Sequence, residues 1–205
     1  ETIVGIDAEV AKLIADKLGL ELEIADVEFD SIIPGVQTGK YDMGMAGMTV
    51  TDERKKSVNF SDSYAKGVQV VIVKEGSDIK TKDDLNGKKI GTQHGTTGYI
   101  YASDTPENGG YGEKNVVGYD SGTVAVEALK SGKVDCVIID NEPAKAYVAA
   151  NTGLKILDTE FANEDYAICF SKKNPELQKK VNDALNELKA SGEFQKVVDK
   201  YIKAD

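Results

Sequence analysis

The feature that most limits the fold is a recurring unit: a short strand-like run, a turn carrying glycine, then a helical pattern. Residues 41–46 run into Gly47, and residues 89–92 run into a turn holding Gly95. Residues 68–73 and 134–139 are mostly apolar, as in strands covered on both faces. Strands that alternate with helices predict an α/β chain with mostly parallel sheets. Ligands of such sheets sit beyond the carboxyl ends of the strands, at helix N-termini with free N–H groups and a positive dipole end.

The finer pattern predicts these elements in order. Asp7 reads as the N-cap of a helix with Val10, Leu13, Ile14 and Leu18 on its apolar face, closed by Gly19. Residues 20–24 alternate like a strand, and 30–37 are helical with Pro34 near the first turn. A short polar helix starts at 51–56, and strand 68–73 follows. The second part reads as helix 81–85, strand 89–92, helix 97–102, loop 105–114, strand 116–119, helix 122–130, strand 134–139 and helix 142–150. Strands 155–157 and 166–170 precede two terminal helices, 175–189 and 193–202, joined near Gly192.

Composition excludes several classes. The 205 residues are 40% hydrophobic and 29% charged, enough for two compact lobes of roughly 100 residues each. No apolar run approaches the ~20 residues needed to cross a bilayer. A net charge of −10 argues against nucleic acid, which wants a basic stripe. Cys136 and Cys169 lie in apolar, strand-like runs and read as buried thiols rather than a disulfide framework. One histidine and two distant cysteines leave no metal-ligand spacing, so neither a metal nor a cofactor is expected.

Arg54 is the single arginine of a chain whose lysines and arginines total 25, and His94 is the single histidine. Both fall at the glycine turns. Arginine grips a carboxylate with two parallel hydrogen bonds, which lysine, a point charge, does not do. Thr49 offers a hydroxyl and an N–H nearby, and Thr51 belongs to the same segment. Thr96 and Thr97 open a helix after Gly95, where N–H groups lack intrahelical partners. Asp140 ends the run Val137-Ile138-Ile139 and begins a helix; it reads either as an N-cap or as an acceptor for an ammonium group. Phe29, an aromatic before a helix, reads as a staple or as a ligand platform. A carboxylate grip plus one acid for an amine describes an α-amino acid. No nucleophile–base pair is visible, and His94 has no evident role.

Six runs carry a family resemblance: Phe29-Asp30-Ser31-Ile32-Ile33-Pro34-Gly35-Val36-Gln37, Ala46-Gly47-Met48-Thr49-Val50-Thr51-Asp52-Glu53-Arg54, Val58-Asn59-Phe60-Ser61-Asp62, Asp84-Leu85-Asn86-Gly87-Lys88, Gly95-Thr96-Thr97-Gly98, and Val134-Asp135-Cys136-Val137-Ile138-Ile139-Asp140. In this order the chain resembles the amino-acid-binding proteins of ABC importers, over essentially its whole length. The resemblance implies the two-lobed, type II periplasmic-binding-protein fold, lobe one being 1–69 plus 168–205 and lobe two 70–167. The hinge strands would lie near 68–73 and 165–170. It implies that Arg54 holds the ligand α-carboxylate, helped by Thr49 and by N–H groups of Thr49 and of Thr96 or Thr97. The Gly47 carbonyl, beside Ala46 in the same motif, and Asp140 would hold the α-ammonium. Phe29 would pack on the ligand side chain, and Gln93 would line its end.

The implied partners are a free polar amino acid, with glutamine or arginine favoured by the neutral polar Gln93, and the membrane permease of an ABC importer. The implied address is the periplasm or the outer face of the cytoplasmic membrane, free or lipid-anchored. Family members carry a strand and loop ahead of the segment matching Val4-Gly5-Ile6-Asp7, whereas these residues begin at Glu1-Thr2-Ile3. Without that strand, exposed sheet edges would weaken binding and open a route to strand exchange between copies; a monomer is expected, with a strand-exchanged dimer as the alternative. The alternatives are an enzyme on this scaffold, resembling cyclohexadienyl or arogenate dehydratases, and a sensory ligand-binding domain.

Overall fold

A computed structural model describes residues 3–201. In chain order the elements are α1 (Ile6–Leu18), α2 (Ile32–Gln37), β1 (Met43–Gly44), α3 (Asp52–Ser57), β2 (Val58–Phe60) and β3 (Ala65–Lys74), then β4 (Ile90–Gln93), α4 (Thr97–Ser103), β5 (Val116–Tyr119), α5 (Gly122–Lys130), β6 (Cys136–Asp140) and α6 (Asn141–Ala150). The chain continues through β7 (Leu154–Ile156), β8 (Ala162–Tyr166), β9 (Cys169–Ser171), α7 (Pro175–Ser191) and α8 (Glu193–Tyr201). Single 3-10 turns lie at Phe29–Ser31, Lys82–Leu85, Pro106–Asn108 and Glu113–Asn115.

The chain divides into two compact units. Glu1–Val27, Ser31–Ala65 and Asp165–Asp205 form the first; Glu28–Asp30 and Lys66–Glu164 form the second. The backbone passes from one unit to the other within β3 and within β8.

In the first unit a three-stranded sheet runs β1-β9-β2, with β9 antiparallel to both neighbours. Its core gathers Val10 and Ile14 of α1, Ile168 and Phe170 of the returning chain, Val181, Leu185 and Leu188 of α7, and Phe194 of α8. The helix α2 packs so closely on this sheet that a Cβ on Gly44 would sit 2.4 Å from Ile32 Cγ2 and 2.6 Å from Cys169 Sγ. Gln178 Nε2 donates to the Phe60 carbonyl at 2.9 Å, and Asn182 and Asn186 both donate to the Asp62 carboxylate. One polar stripe of α7 therefore pins the segment that leads into β3.

In the second unit the sheet order is β5-β4-β6-β3-β7, and β8 also pairs with β3. The strand β4 is parallel to β5 and β6, while β3 is antiparallel to β6 and β7. One face carries Val70, Ile72, Val137 and Ile139 beneath α5 and α6. The other carries Val71, Val73, Cys136 and Ile138 with Ala102 of α4. Both faces of β3 and β6 are covered, which is why their sequences are apolar without alternation.

Four expectations are corrected. Residues 20–24 form no strand: Leu20 and Ile24 are exposed, and no described strand pairs with them. Alternation alone makes no ladder. The sheets are not mostly parallel, because β9 and β3 arrive from far along the chain and pair antiparallel. The strand expected at 41–46 is regular only over Met43–Gly44, and β2 was not anticipated. The strand expected at 166–170 is two strands, β8 ending at Tyr166 and β9 starting at Cys169. The expected end of the last helix at Ile202 lies outside the described residues, as do Glu1 and Thr2.

Candidate functional site

In the first unit, the site residues lie on the path from β1 to α3. Gly47 adopts φ 56°, the left-handed region that glycine enters without steric cost. A side chain there would also press on the Tyr166 ring, 3.3 Å from an added Cβ. The following stretch is fixed to the returning chain: Ala167 N donates to the Met48 carbonyl at 3.0 Å, Val50 N to the Asp165 carbonyl at 3.0 Å, and Thr49 bridges Tyr166. Thr51 then caps α3, its Oγ1 accepting from Arg54 N at 3.1 Å. This cap sets the first turn of α3 and so the start of the Arg54 side chain.

Arg54 is 7% exposed and Thr49 is 6% exposed. Arg54 Nη1 donates to the Thr49 carbonyl at 2.8 Å, which fixes the plane of the guanidinium. The structure thus brings Arg54 and Thr49 together, through the Thr49 carbonyl. Ala46 and Gly47 are partly buried beside it. The Arg54 charge also opposes, though weakly, the burial that pushes the Cys169 thiol up to about 11.

Two residues that the sequence did not place at the site, Tyr64 and Asp7, converge on Gly47. Gly47 N donates to Tyr64 Oη at 3.0 Å. Tyr64 in turn bonds the Asp7 carboxylate, which also accepts from Gly47 N. Asp7 is therefore no N-cap: Gly5 occupies that position, without a side-chain cap, and Asp7 stands in the first turn of α1. Burial raises the Asp7 pKa above the ordinary 3.8, against those two hydrogen bonds. Burial, followed by the Asp7 charge, raises Tyr64 well above 10.0.

In the second unit, Gln93 ends β4 and Thr96 caps α4. Thr96 Oγ1 donates to the Gln93 carbonyl at 2.8 Å and accepts from Tyr99 N at 3.3 Å. Thr96 N also donates to the Gln93 carbonyl, at 3.3 Å. Thr97 is buried as the first residue of the helix. Gly95, at φ 74°, lies against Asp30, whose Cβ would be 2.7 Å from an added one. The turn carrying the partly buried Phe29 thus groups with this loop. His94 is exposed, and its ring lies 5.6 Å from that of Tyr99.

Asp140 ends β6 and stands at the N-cap position of α6, without a side-chain capping bond. Its register partner on β3 is Gln69. Asp140 alternates with Ile138 and Cys136, and Gln69 with Val71, so the two side chains share one face of the sheet. Gln69 Nε2 donates to Glu164 Oε2 at 3.2 Å, and both residues are buried. Glu164 Oε1 has no hydrogen-bond partner among the described residues. Nothing in the sequence joined Gln69 to Glu164, which stand 95 positions apart. A separate hollow of about 230 Å³, lined by Lys82, Tyr101, Asp104, Tyr111 and Phe161 among others, contains none of the anticipated residues.

No helix among the described residues is long and apolar enough to cross a membrane. Comparison with known proteins agrees with this architecture. The arginine-binding extracellular protein ArtP of Bacillus subtilis is 35% identical over 98% of this chain and 79% of its own length. The ABC transporter arginine-binding protein 1 of Escherichia coli is 34% identical over 98% of this chain and 82% of its own. A solved ancestral arginine-binding protein bound to glutamine is 43% identical, covers 99% of this chain and 89% of that one, and superposes with a TM-score of 0.91. The two-lobed α/β fold is that of these neighbours. The family model described as bacterial extracellular solute-binding proteins, family 3, matches residues 1–204, and the chain belongs to that family.

Proposed function

We propose that this chain binds free arginine or glutamine by its α-amino and α-carboxyl groups. It captures a polar amino acid for the permease of an ABC importer. Arg54 and Thr49 take the α-carboxylate, with the Thr97 N–H at the start of α4 rather than that of Thr96, which is given to the Gln93 carbonyl. The Gly47 carbonyl, beside Ala46, and the Asp140 carboxylate take the α-ammonium. Phe29 packs on the ligand side chain and Gln93 meets its end. The observation that carries this is the buried guanidinium of the single arginine, held in one plane by the Thr49 carbonyl at 2.8 Å in a family of solute-binding proteins. A planar fork fixed in advance binds a carboxylate without first losing side-chain freedom.

The choice of ligand is supported by relatives named for arginine and by the neighbour solved with glutamine. The protein binds without chemistry, so incubation with prephenate or arogenate should yield no aromatic product. Calorimetric titration with the twenty amino acids is the direct test. A ligand at about 100 times its Kd should stabilise the fold by about 2.7 kcal/mol. Heat and a raised Tm with arginine or glutamine support the proposal; silence from all twenty overturns it.

A further inference from the structure

The cluster Asp7–Tyr64–Gly47 has no task in the function described so far, yet it is costly to build. Asp7 carries its carboxylate into a partly buried place where, among the described residues, no lysine or arginine pairs with it. A desolvated carboxylate without a counter-charge is expensive. Its two partners are the Tyr64 hydroxyl and the Gly47 N–H. Tyr64 is 5% exposed and is itself held by its backbone, Tyr64 N donating to the Tyr166 carbonyl at 2.9 Å. Its hydroxyl takes the same Gly47 N–H at 3.0 Å. Two oxygens therefore clamp one amide hydrogen from one side.

The consequence follows from the geometry of the peptide. The 46–47 bond is planar and trans, as are all peptide bonds among the described residues. The Ala46 carbonyl therefore points opposite to the Gly47 N–H, away from Asp7 and Tyr64. Gly47 itself sits at φ 56° with the Tyr166 ring where a side chain would project, so this turn requires glycine. A carboxylate accepting from an amide N–H draws its hydrogen and leaves the carbonyl oxygen of the same peptide more negative, the cooperative effect of linked hydrogen bonds. An acid beneath the turn thus strengthens a carbonyl acceptor on the other side of it. That is what a cation needs, and what a neutral group does not.

We propose that Asp7 and Tyr64 are positioning residues for the ligand ammonium, acting through the Ala46–Gly47 peptide without touching the ligand. The inference rests on the functional reading above with one addition: that reading gives the α-ammonium the Gly47 carbonyl, and the oxygen strengthened by Asp7 and Tyr64 is that of its neighbour Ala46, which joins the same grip. Asp7→Asn keeps the shape and removes the charge. Tyr64→Phe removes one oxygen of the clamp. Each variant and the wild type are titrated at pH 7 with L-arginine and with its desamino counterpart, which keeps the carboxylate and the guanidinium but lacks the α-ammonium. L-glutamine and its desamino counterpart serve if the wild type prefers glutamine.

Asp7→Asn should weaken binding of the amino acid about tenfold and leave the desamino compound within twofold. Tyr64→Phe should show the same selectivity with a smaller loss. A purely structural role predicts equal losses for both compounds, and that result, or no loss at all, overturns the proposal. The thermal melt of each variant confirms that it is folded, and Tyr64→Phe alone decides the matter if Asp7→Asn does not fold. Wild-type protein that binds neither amino acid overturns the functional reading instead, and this inference with it.

Discussion

Replacing Arg54 by lysine keeps the charge and removes the fork, so it isolates what the planar geometry contributes. In the structure one guanidinium nitrogen, Nη1, is committed to the Thr49 carbonyl at 2.8 Å inside a site where Arg54 is 7% exposed. A lysine has a single nitrogen on a shorter reach. Its three N–H donors diverge from one point, so it cannot reproduce the two parallel bonds of the fork to the ligand carboxylate, and one charge-assisted hydrogen bond is lost. Such a bond contributes about 1.5–3 kcal/mol. At about 1.4 kcal/mol per factor of ten, the dissociation constant for the preferred amino acid should rise roughly ten- to a hundredfold. Isothermal titration of wild type and Arg54→Lys side by side measures this. Arg54→Met, which also deletes the charge, should lose at least as much. A folded Arg54→Lys protein whose Kd stays within twofold of wild type would remove Arg54 from the carboxylate grip and refute the reasoning.

Three further outcomes follow from buried groups. Thr92 is fully buried on β4, and its Oγ1 has no hydrogen-bond partner among the described residues. Thr92→Val should therefore raise stability by about 1 kcal/mol, a Tm gain of about 2–4 °C; a loss of that size would show that the hydroxyl is paired. Cys136 and Cys169 are free and buried, with thiols pushed up to about 12 and about 11. Both should resist a thiol reagent in the native protein at pH 8 and react together in denaturant, whereas fast native labelling would contradict their placement. The third concerns Asp7, whose pKa is higher in the folded protein than the ordinary 3.8. Its ionised form costs stability above the raised value, and the cost vanishes once the pH falls below 3.8. Asp7→Asn should therefore melt higher than wild type at pH 7, with the gap closing toward pH 3; a constant gap would mean that the charge is not the cause.

The elements legible in the sequence are those whose ends are made locally. The helix α5 begins after Ser121, which caps it by accepting from Val124 N, and α7 begins with Asn174 as cap and Pro175 in its first turn. Gly192 closes α7 at φ 81°. The bounds of α5 and β5 match the expectation because caps and hydrophobic period act within a few residues. Strand pairing does not. Residues 20–24 have the alternation of a strand and lack a partner among the described strands, while β2 has a weak pattern and gains one in β9. A ladder is completed by a segment from elsewhere in the chain, so a local window does not contain it.

The candidate site divides along the same line. Arg54, Thr49 and Thr51 fall within six residues, and Arg54 bonds to both of the others, through its amide and through its guanidinium. Asp140 was ambiguous because a strand-ending acid before a helix fits two roles locally. It does occupy the N-cap position of α6, but its side chain makes no capping bond there. What gives the acid its setting is the register with β3, which sets Gln69 beside it and Glu164 behind Gln69. Asp7 shows the converse. Its local context spells an N-cap, but starting the helix at Ile6 turns the carboxylate toward Tyr64 and the Gly47 amide instead. An acid at a helix start is therefore assigned by what lies across from it in space. Asp7 bonds into the Gly47 turn already marked as chemically important, and Asp140 stands at a strand end marked in the same way. The sequence pattern locates such places, and long-range packing decides which side chains serve them.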